Sequence, residues 1–445
     1  MKSPITLSFA ISCCLFVFNF NANAEEVEQK KTSEKHTLVY AGTLLAVPGQ
    51  PPKAEQTLVI ESGKIKSSHD GYLSAKQLDL PQGKLEIIDL RDQFVLPGLI
   101  DAHMHMLKNP RNDSYNPVEI LTQSNEQALI YGVVNARTTL EKGYTTVRDL
   151  AAAPEPIMVL RDSIKAGFIV GPRMFVAGAA LSPTGGHGDV HFISRPFLKK
   201  FHNPGLCDGV DECRSVVREQ YRRGVDLIKV HATGGGAERS GGKYAEPSFT
   251  KEELEAIVST AHDLGLEVTA HAHATEGIKA ALRAGVDSVE HASFVDKEAI
   301  RLFKKTGAYM LPTLAVQERL EIIVDKVPRA MRPRIKSFQN EQPKNVLEAY
   351  KSGVKIAAGS DVGVVAYGRN AVELEWLVKI GISEMEAIKI GTINTADHIG
   401  MGDQIGTLEP GKLADVIAVA GNPLEDISEL HKVTFVMKEG AVYKQ

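Results

Sequence analysis

The chain predicts an α/β protein: a (β/α)8 TIM barrel joined to a small β-sandwich domain built from both chain ends. Three observations lead there. Between residues 96 and 405, short apolar strand patterns alternate with helical patterns, and repeated strand–helix units build parallel sheets. The number of such strands is eight, which suits closure into a barrel. At both ends of the chain, strand patterns follow one another without helices, and the turns Glu61-Ser62-Gly63-Lys64 and Lys438-Glu439-Gly440 echo each other.

The bulk numbers agree with this division. A chain of 445 residues is long for one simple core, so a large domain with a smaller companion is expected. Hydrophobic residues make up 43% and charged residues 24%, ordinary values for a globular protein. Only 6% of residues are aromatic and 38 are glycine, which suits many tight strand–helix turns. A net charge of -4 gives no reason to expect nucleic acid or an anionic membrane as partner. A homo-oligomer is the expected assembly.

Residues 1–24 read as a signal peptide. Lys2 supplies a minimal positive start, Ile5 to Phe18 is mostly apolar, and Ala22-Asn23-Ala24 fits a small-x-small cleavage site. The apolar stretch is short for a membrane span. Cys13 and Cys14 raise a lipoprotein alternative, but Leu15 to Phe18 continues the apolar stretch beyond them. Export to the periplasm or medium is expected, with no stable membrane insertion after cleavage. Cleavage leaves Cys207 and Cys213, six apart in a Gly/Asp-containing loop. Such a pair can form a disulfide in an oxidising compartment or remain two free thiols, and spacing alone does not decide.

Residues 25–36 are a polar lead-in. The sandwich is expected over 25–95 and 406–445, with strands at Thr37–Tyr40, Thr57–Ile60, Leu85–Ile88, Asp415–Val419 and Val433–Met437. The barrel is expected over 96–405. Its candidate strands are Gly98–His103, Thr145–Asp149, Arg173–Ala177, Asp226–Val230, Glu267–His271, Asp287–Glu290, Tyr309–Pro312 and Lys355–Ala358. Helical patterns such as Lys251–Leu264 and Glu276–Ala284 separate most of them, and Thr250 with Glu253 forms a capping-box pattern before the first.

Active-site groups of such a barrel sit at the C-terminal ends of its strands. His103 and His105 end the first strand, and their i, i+2 spacing lets both imidazoles share one face. Lys229 lies near the end of the fourth, His271 and His273 at the fifth, His291 at the sixth, and Asp361 just after the eighth. Each alone reads as a satisfied strand-end residue; together they form a ligand set for divalent metal. Lys229, flanked by Ile228 and Val230, brings an ammonium into a partly buried place, where the charge must be paired or removed. It either pairs with a carboxylate or reacts with CO2 to give a carbamate, an anionic ligand able to bridge two metals.

Pro97-Gly98-Leu99-Ile100-Asp101-Ala102-His103-Met104-His105 and Gly411-Lys412-Leu413-Ala414-Asp415 resemble signatures of the amidohydrolase superfamily. The likeness covers nearly the whole mature chain. It points to the branch of imidazolonepropionase-like proteins, Xaa-Pro dipeptidases and ochratoxin-degrading amidases. The resemblance implies two divalent metal ions, zinc fitting the donors with manganese and cobalt still open. His103, His105 and Asp361 would hold one ion, His271 and His291 the other, and carboxylated Lys229 would bridge them together with a hydroxide. Asp361 would carry the nucleophile's proton to the leaving amine. His273 would polarise the substrate carbonyl, although His271 and His273 can exchange roles.

Selectivity is expected on loops. His187, in Ser182-Pro183-Thr184-Gly185-Gly186-His187-Gly188-Asp189, is a candidate substrate contact. Arg239 and Tyr244, after Thr233-Gly234-Gly235-Gly236, are candidates to clamp a carboxylate. Those glycines lack the Gly-Lys-Ser/Thr ending of a phosphate loop. The expected function is a binuclear metal-dependent amidohydrolase cleaving dipeptides or N-acyl amino acids with a free C-terminal carboxylate. The alternative is a cyclic amide or lactone hydrolase. Deamination fits less well, because mononuclear deaminases of the superfamily do not normally use the bridging lysine. A non-catalytic binding barrel would be expected to have lost ligands.

Overall fold

The apolar alternation of the N-terminal segment forms four strands: β1 (His36–Leu44), β2 (Lys53–Glu61), β3 (Lys64–Asp70) and β4 (Leu85–Pro97). They come from a computed structural model that describes residues 36–80, 85–111, 122–189, 203–235, 246–327, 329 and 332–445. The leader at residues 1–24 lies outside the described residues, as do Arg239 and Tyr244. The β1–β2 and β2–β3 pairs are antiparallel, whereas β1 and β4 run parallel.

All eight strands expected between residues 98 and 358 are present: β5 (Leu99–Met104), β6 (Tyr144–Asp149), β7 (Arg173–Val176), β8 (Leu227–His231), β9 (Glu267–Ala272), β10 (Ser288–His291), β11 (Tyr309–Leu311) and β12 (Lys355–Ile356). They form two parallel sheets, β5-β6-β7 and β12-β11-β10-β9-β8. The sheets are linked at both margins. Leu181 bridges Val230 beside β8, and Met104 bridges Val362 beyond β12. The amide of Ala102 also donates to Ala358 O at 2.9 Å. Helices return the chain between strands. The capping box before the helix Lys251–Asp263 is present as expected: Thr250 Oγ1 accepts from Glu253 N at 3.2 Å, and Glu253 Oε2 accepts from Thr250 N at 2.8 Å.

The C-terminal segment adds β13 (Val416–Val419), β14 (Val433–Lys438) and β15 (Ala441–Lys444) to the N-terminal strands. The result is one seven-stranded sheet, ordered β15-β14-β13-β4-β1-β2-β3. The two ends therefore do combine. Among the described residues they share this single sheet rather than two separate ones. Strands β3 and β15, absent from the expected set, lie at the sheet's edges, where lysines such as Lys64, Lys66 and Lys444 are tolerated. Period-two alternation sorts the sheet's side chains between two cores. Val416 and Ala418 join Val39, Ala41, Leu58 and Phe435, whereas Ile417 and Val419 join Leu96, Val433 and the core beneath the parallel strands. Among the described residues no helix is long and apolar enough to cross a membrane.

Cys207 and Cys213 form a disulfide, with Cα atoms 5.0 Å apart. It ties the segment before the helix Val210–Arg223 to that helix, and the same segment holds the loop that carries His187. Cys207 N donates to Ser182 O at 3.1 Å, Ser182 N to Gly205 O at 3.0 Å, and Asn203 Nδ2 to Gly188 O at 2.6 Å. Because the closed loop is short, its entropic contribution is modest. Cys213→Ser is expected to lower stability by about 2 kcal/mol, read as a shift in the urea midpoint under oxidising conditions, with no shift once both proteins are reduced.

Candidate metal-dependent active site

The strand pattern brings the sequence-predicted ligands together. His103 ends β5, Lys229 lies in β8, His271 in β9, His291 ends β10, and Asp361 follows β12. Two groups of three form, within each of which the ligand atoms all lie within 4.8 Å of one another: His103, His105 and Asp361, and His271, His273 and His291. Asp361 Oδ1 is 3.1 Å from His105 Nε2 and 3.6 Å from His103 Nε2. The groups adjoin, since the rings of His103 and His291 are 5.0 Å apart. His273 lies 4.6 Å from His291, ring on ring, and its Nδ1 is 2.9 Å from Ser293 Oγ. The geometry thus groups both His271 and His273 with His291. His271 Nε2, however, is buried and makes no hydrogen bond.

The electrostatics suit cation binding. Burial pushes the imidazoles of His103, His271 and His291 below their ordinary range, and neighbouring positive groups reinforce the shift, so all three are held neutral with lone pairs available. Burial alone would raise the Asp361 carboxyl, but His103, His105 and Lys229 hold it below its usual value. Burial drives the Lys229 amine down to about 8, against the opposing pull of Glu290 and Asp361. Lys229 Nζ is buried and has no hydrogen-bond partner, so the reading in which it pairs with a carboxylate is not met. Unpartnered buried atoms on Lys229 and His271, beside the carboxylate of Asp361, make a set that divalent cations would satisfy.

Buried residues that carried no assignment in the sequence orient these ligands. Glu290 Oε2 accepts from His103 Nδ1 at 2.6 Å, leaving Nε2 for a metal. Glu290 Oε1 accepts from Arg148 Nη2 at 2.9 Å and also binds the hydroxyl of Thr269. Burial would raise the Glu290 carboxyl, but His103, Lys229 and Arg148 hold it well below its usual range. Asp101 Oδ1 accepts from the amides of His103 at 3.1 Å and Ser360 at 3.0 Å, and Oδ2 accepts from Asn370 Nδ2 at 2.7 Å. The sequence signal for these residues is a charge inside a short strand that carries no other charge before it, as in Thr145-Thr146-Val147-Arg148 and Ser288-Val289-Glu290. Gly359 is required by a close approach: a Cβ there would come within 2.6 Å of His103 Cβ.

His187, the expected substrate contact, lies beside the histidine cluster, its ring stacked 4.4 Å from His271. His231, unassigned from sequence, shares the face of Lys229 two residues on, with its ring 4.8 Å from His187. Arg239 and Tyr244 are not among the described residues, so the carboxylate clamp expected of them has no described geometry.

Neutral histidines and an ionised aspartate gathered at strand ends around a buried lysine define the class: a metal-dependent hydrolase. The comparisons agree. A family model described as the amidohydrolase family matches residues 94–443. The ochratoxinase of Aspergillus niger is 35% identical over 437 residues, covering 92% of this chain and 87% of that one. A solved Xaa-Pro dipeptidase with methionine bound in its active site is 36% identical, with a TM-score of 0.84, covering 92% of this chain and 100% of that one. A prolidase solved with N-methylphosphonate-L-proline is 29% identical, with a TM-score of 0.81 and the same coverage. The chain belongs to the amidohydrolase family, as its signatures suggested, and is a hydrolase acting on amide bonds.

Two outcomes test this geometry. Glu290→Gln removes the charge that orients His103, and divalent-metal affinity measured by chelator competition is expected to fall roughly 10- to 100-fold. The neutral buried histidines also set a pH dependence. Their folded-state values are depressed, so below about 6.5 the unfolded chain binds protons that the folded chain does not, and stability falls as pH falls. Urea midpoints of metal-free protein are therefore expected to be lower at pH 5.5 than at pH 7.5, with a smaller difference in Glu290→Gln/His103→Gln protein.

Proposed function

We propose that this chain is a binuclear metal-dependent amidohydrolase that releases an amino acid with a free carboxylate from a dipeptide or an N-acyl amino acid. The observation that carries the reading is Lys229. Its amine is buried without a partner, and its charge acts on His103 and Asp361 of one group and on His291 of the other. An amine brought down to about 8 has an appreciable neutral fraction near neutrality. The neutral Nζ can attack CO2, forming an N–C bond and losing a proton, to leave an anionic carbamate. Two oxygens of that group could then serve both triads.

His103, His105 and Asp361 would hold one cation and His271 and His291 the other. When bound, the two cations would polarise the scissile carbonyl and acidify a water beside it. Asp361, ionised and facing His105, accepts the proton of the attacking water and returns it to the leaving nitrogen. His273, anchored by Ser293, faces the substrate carbonyl, and Glu290 keeps His103 in the tautomer that presents Nε2. The methionine and N-methylphosphonate-L-proline held by the two solved relatives are both amino-acid carboxylates, which supports a free carboxylate on the released product.

In the same reading, the parallel strands β5–β12 close into one barrel over residues 96–405, since both margins of the two sheets are already bridged. Residues 25–95 and 406–445 form the companion β domain. The leader directs export, and the Cys207–Cys213 disulfide suits an oxidising compartment.

Metal-loaded protein supplied with bicarbonate is expected to hydrolyse Xaa-Pro, Xaa-Arg/Lys or N-acyl-aromatic amino acids, and Lys229→Ala to reduce kcat on the order of a thousandfold. A carbamate signal from 13C-bicarbonate, present in the wild type and missing in the variant, reports the modification itself. Full activity of Lys229→Ala would remove the lysine from the mechanism. Turnover of lactones or cyclic amides without any linear amide would replace the substrate class.

A further inference from the structure

His105 stands just past the support of its strand. β5 ends at Met104, and its ladder with β6 ends at the Met104–Asp149 pair. The carbonyl of His105 therefore has no strand partner and must be satisfied another way. Tyr367 does this: its hydroxyl donates to His105 O at 2.6 Å and accepts from Lys108 N at 3.2 Å. Burial pushes the phenol above its ordinary range, so the hydroxyl keeps the proton it donates.

Tyr367 belongs to the segment after β12, and that segment is laced onto β5 at alternate residues. Asn370 Nδ2 donates to Asp101 Oδ2 at 2.7 Å, Asp361 N donates to His103 O at 2.7 Å, and Tyr367 closes the series at His105. His105 N donates in return to Val362 O at 2.8 Å. The two segments run so close that a Cβ on Gly363, whose φ is 107°, would come within 2.8 Å of His105 Cβ. His103, His105 and Asp361 all come from this pair of segments. On the far side, Asn135 Nδ2 donates to Met106 O and Lys108 O, both at 2.8 Å, and Asp149 Oδ2 accepts from Met106 N at 2.6 Å. Those bonds hold the residues after His105, whereas Tyr367 grips the ligand's own peptide. The hydrogen bonds of Tyr367 go to His105 and Lys108, and to neither His271 nor His291.

We propose that Tyr367 is a positioning residue for one of the two metal positions: its hydroxyl fixes His105 beside His103 and Asp361, and so sets the affinity of that group for a divalent cation without touching the group of His271 and His291. Tyr367 does for His105 through the backbone what Glu290 does for His103 through the ring. This role rests on the two-cation reading above and deepens it, since it makes the two positions separately adjustable.

Zinc ion alone serves as the probe, in chelator competition on the full chain. His291→Ala protein keeps the first group intact, and His105→Ala protein keeps the second. Adding Tyr367→Phe should weaken zinc binding roughly tenfold in the His291→Ala protein and leave it unchanged in the His105→Ala protein. In otherwise wild-type protein the same substitution should separate zinc release into one weakened and one unaltered step. Equal weakening in both backgrounds would mark a general packing role and overturn the assignment; so would weakening in neither, or in the His105→Ala protein only. Wild-type protein that binds no zinc would sink the metal reading and this role with it. Zinc binding that Tyr367→Phe leaves intact would sink this role and spare the metal reading. Thermal melting checks that each variant is folded. Should Tyr367→Phe prove unfolded, Tyr367→His, which keeps a ring and a donor at shorter reach, is expected to weaken zinc binding in the His291→Ala background alone, and an unselective loss would overturn the assignment.

Discussion

The buried carboxylate of Glu290 is the constraint on which the site depends. It lies on β10 in the five-stranded sheet, yet its partners His103 and Arg148 lie on β5 and β6 in the three-stranded sheet. Thr269 on β9 completes its coordination. One charge thus joins two sheets whose strands also share one apolar core. Isolated in the interior, such a charge would be costly, and removing a single partner from a buried ion pair typically destabilises by about 3–5 kcal/mol. The same interaction is chemical as well as structural. By accepting from His103 Nδ1, Glu290 fixes the ring with Nε2 left toward the site, while burial outweighs the carboxylate's pull and keeps the imidazole neutral.

A second constraint lies in the backbone. His291, Thr313 and Asp361 all have positive φ, at 68°, 50° and 57°. Non-glycine residues in this region cost on the order of 1–3 kcal/mol and persist only where their surroundings hold them. Here the surroundings do so: His291 Nδ1 is 2.7 Å from Thr313 Oγ1, and Asp361 N donates to His103 O at 2.7 Å. The bend has a purpose. In a regular strand Glu290 and His291 would point to opposite faces. A left-handed residue at the strand end lets Glu290 support the ligands from below while His291 serves as one of them.

That bend also marks the boundary of what the sequence could say. The eight parallel strands, the capping box at Thr250 and the six ligand candidates were legible, because each leaves a local mark: an apolar run, a cap spacing, a histidine, lysine or aspartate at a strand end. Glu290 was overlooked because alternation assigns it the face opposite His291, and only backbone conformation reverses that. Arg148 and Asp101 act through partners roughly 140 to 270 residues away, a relation that no window of sequence contains. Strands β3 and β15 were missed for a simpler reason: edge position removes the apolar pattern that reveals a strand.

The sign of the charge at Lys229 ties these features together. As an ammonium it would add positive charge beside both groups, opposing any cation that approached either. The protein lessens that conflict before any cation arrives: burial lowers the amine to about 8, while Glu290 and Asp361 keep it from falling further. Conversion to a carbamate would reverse the sign and supply oxygen donors where Nζ has no partner. Glu290, placed to hold His103, also lies close enough to influence that amine, so ligand orientation and lysine chemistry answer to the same buried carboxylate.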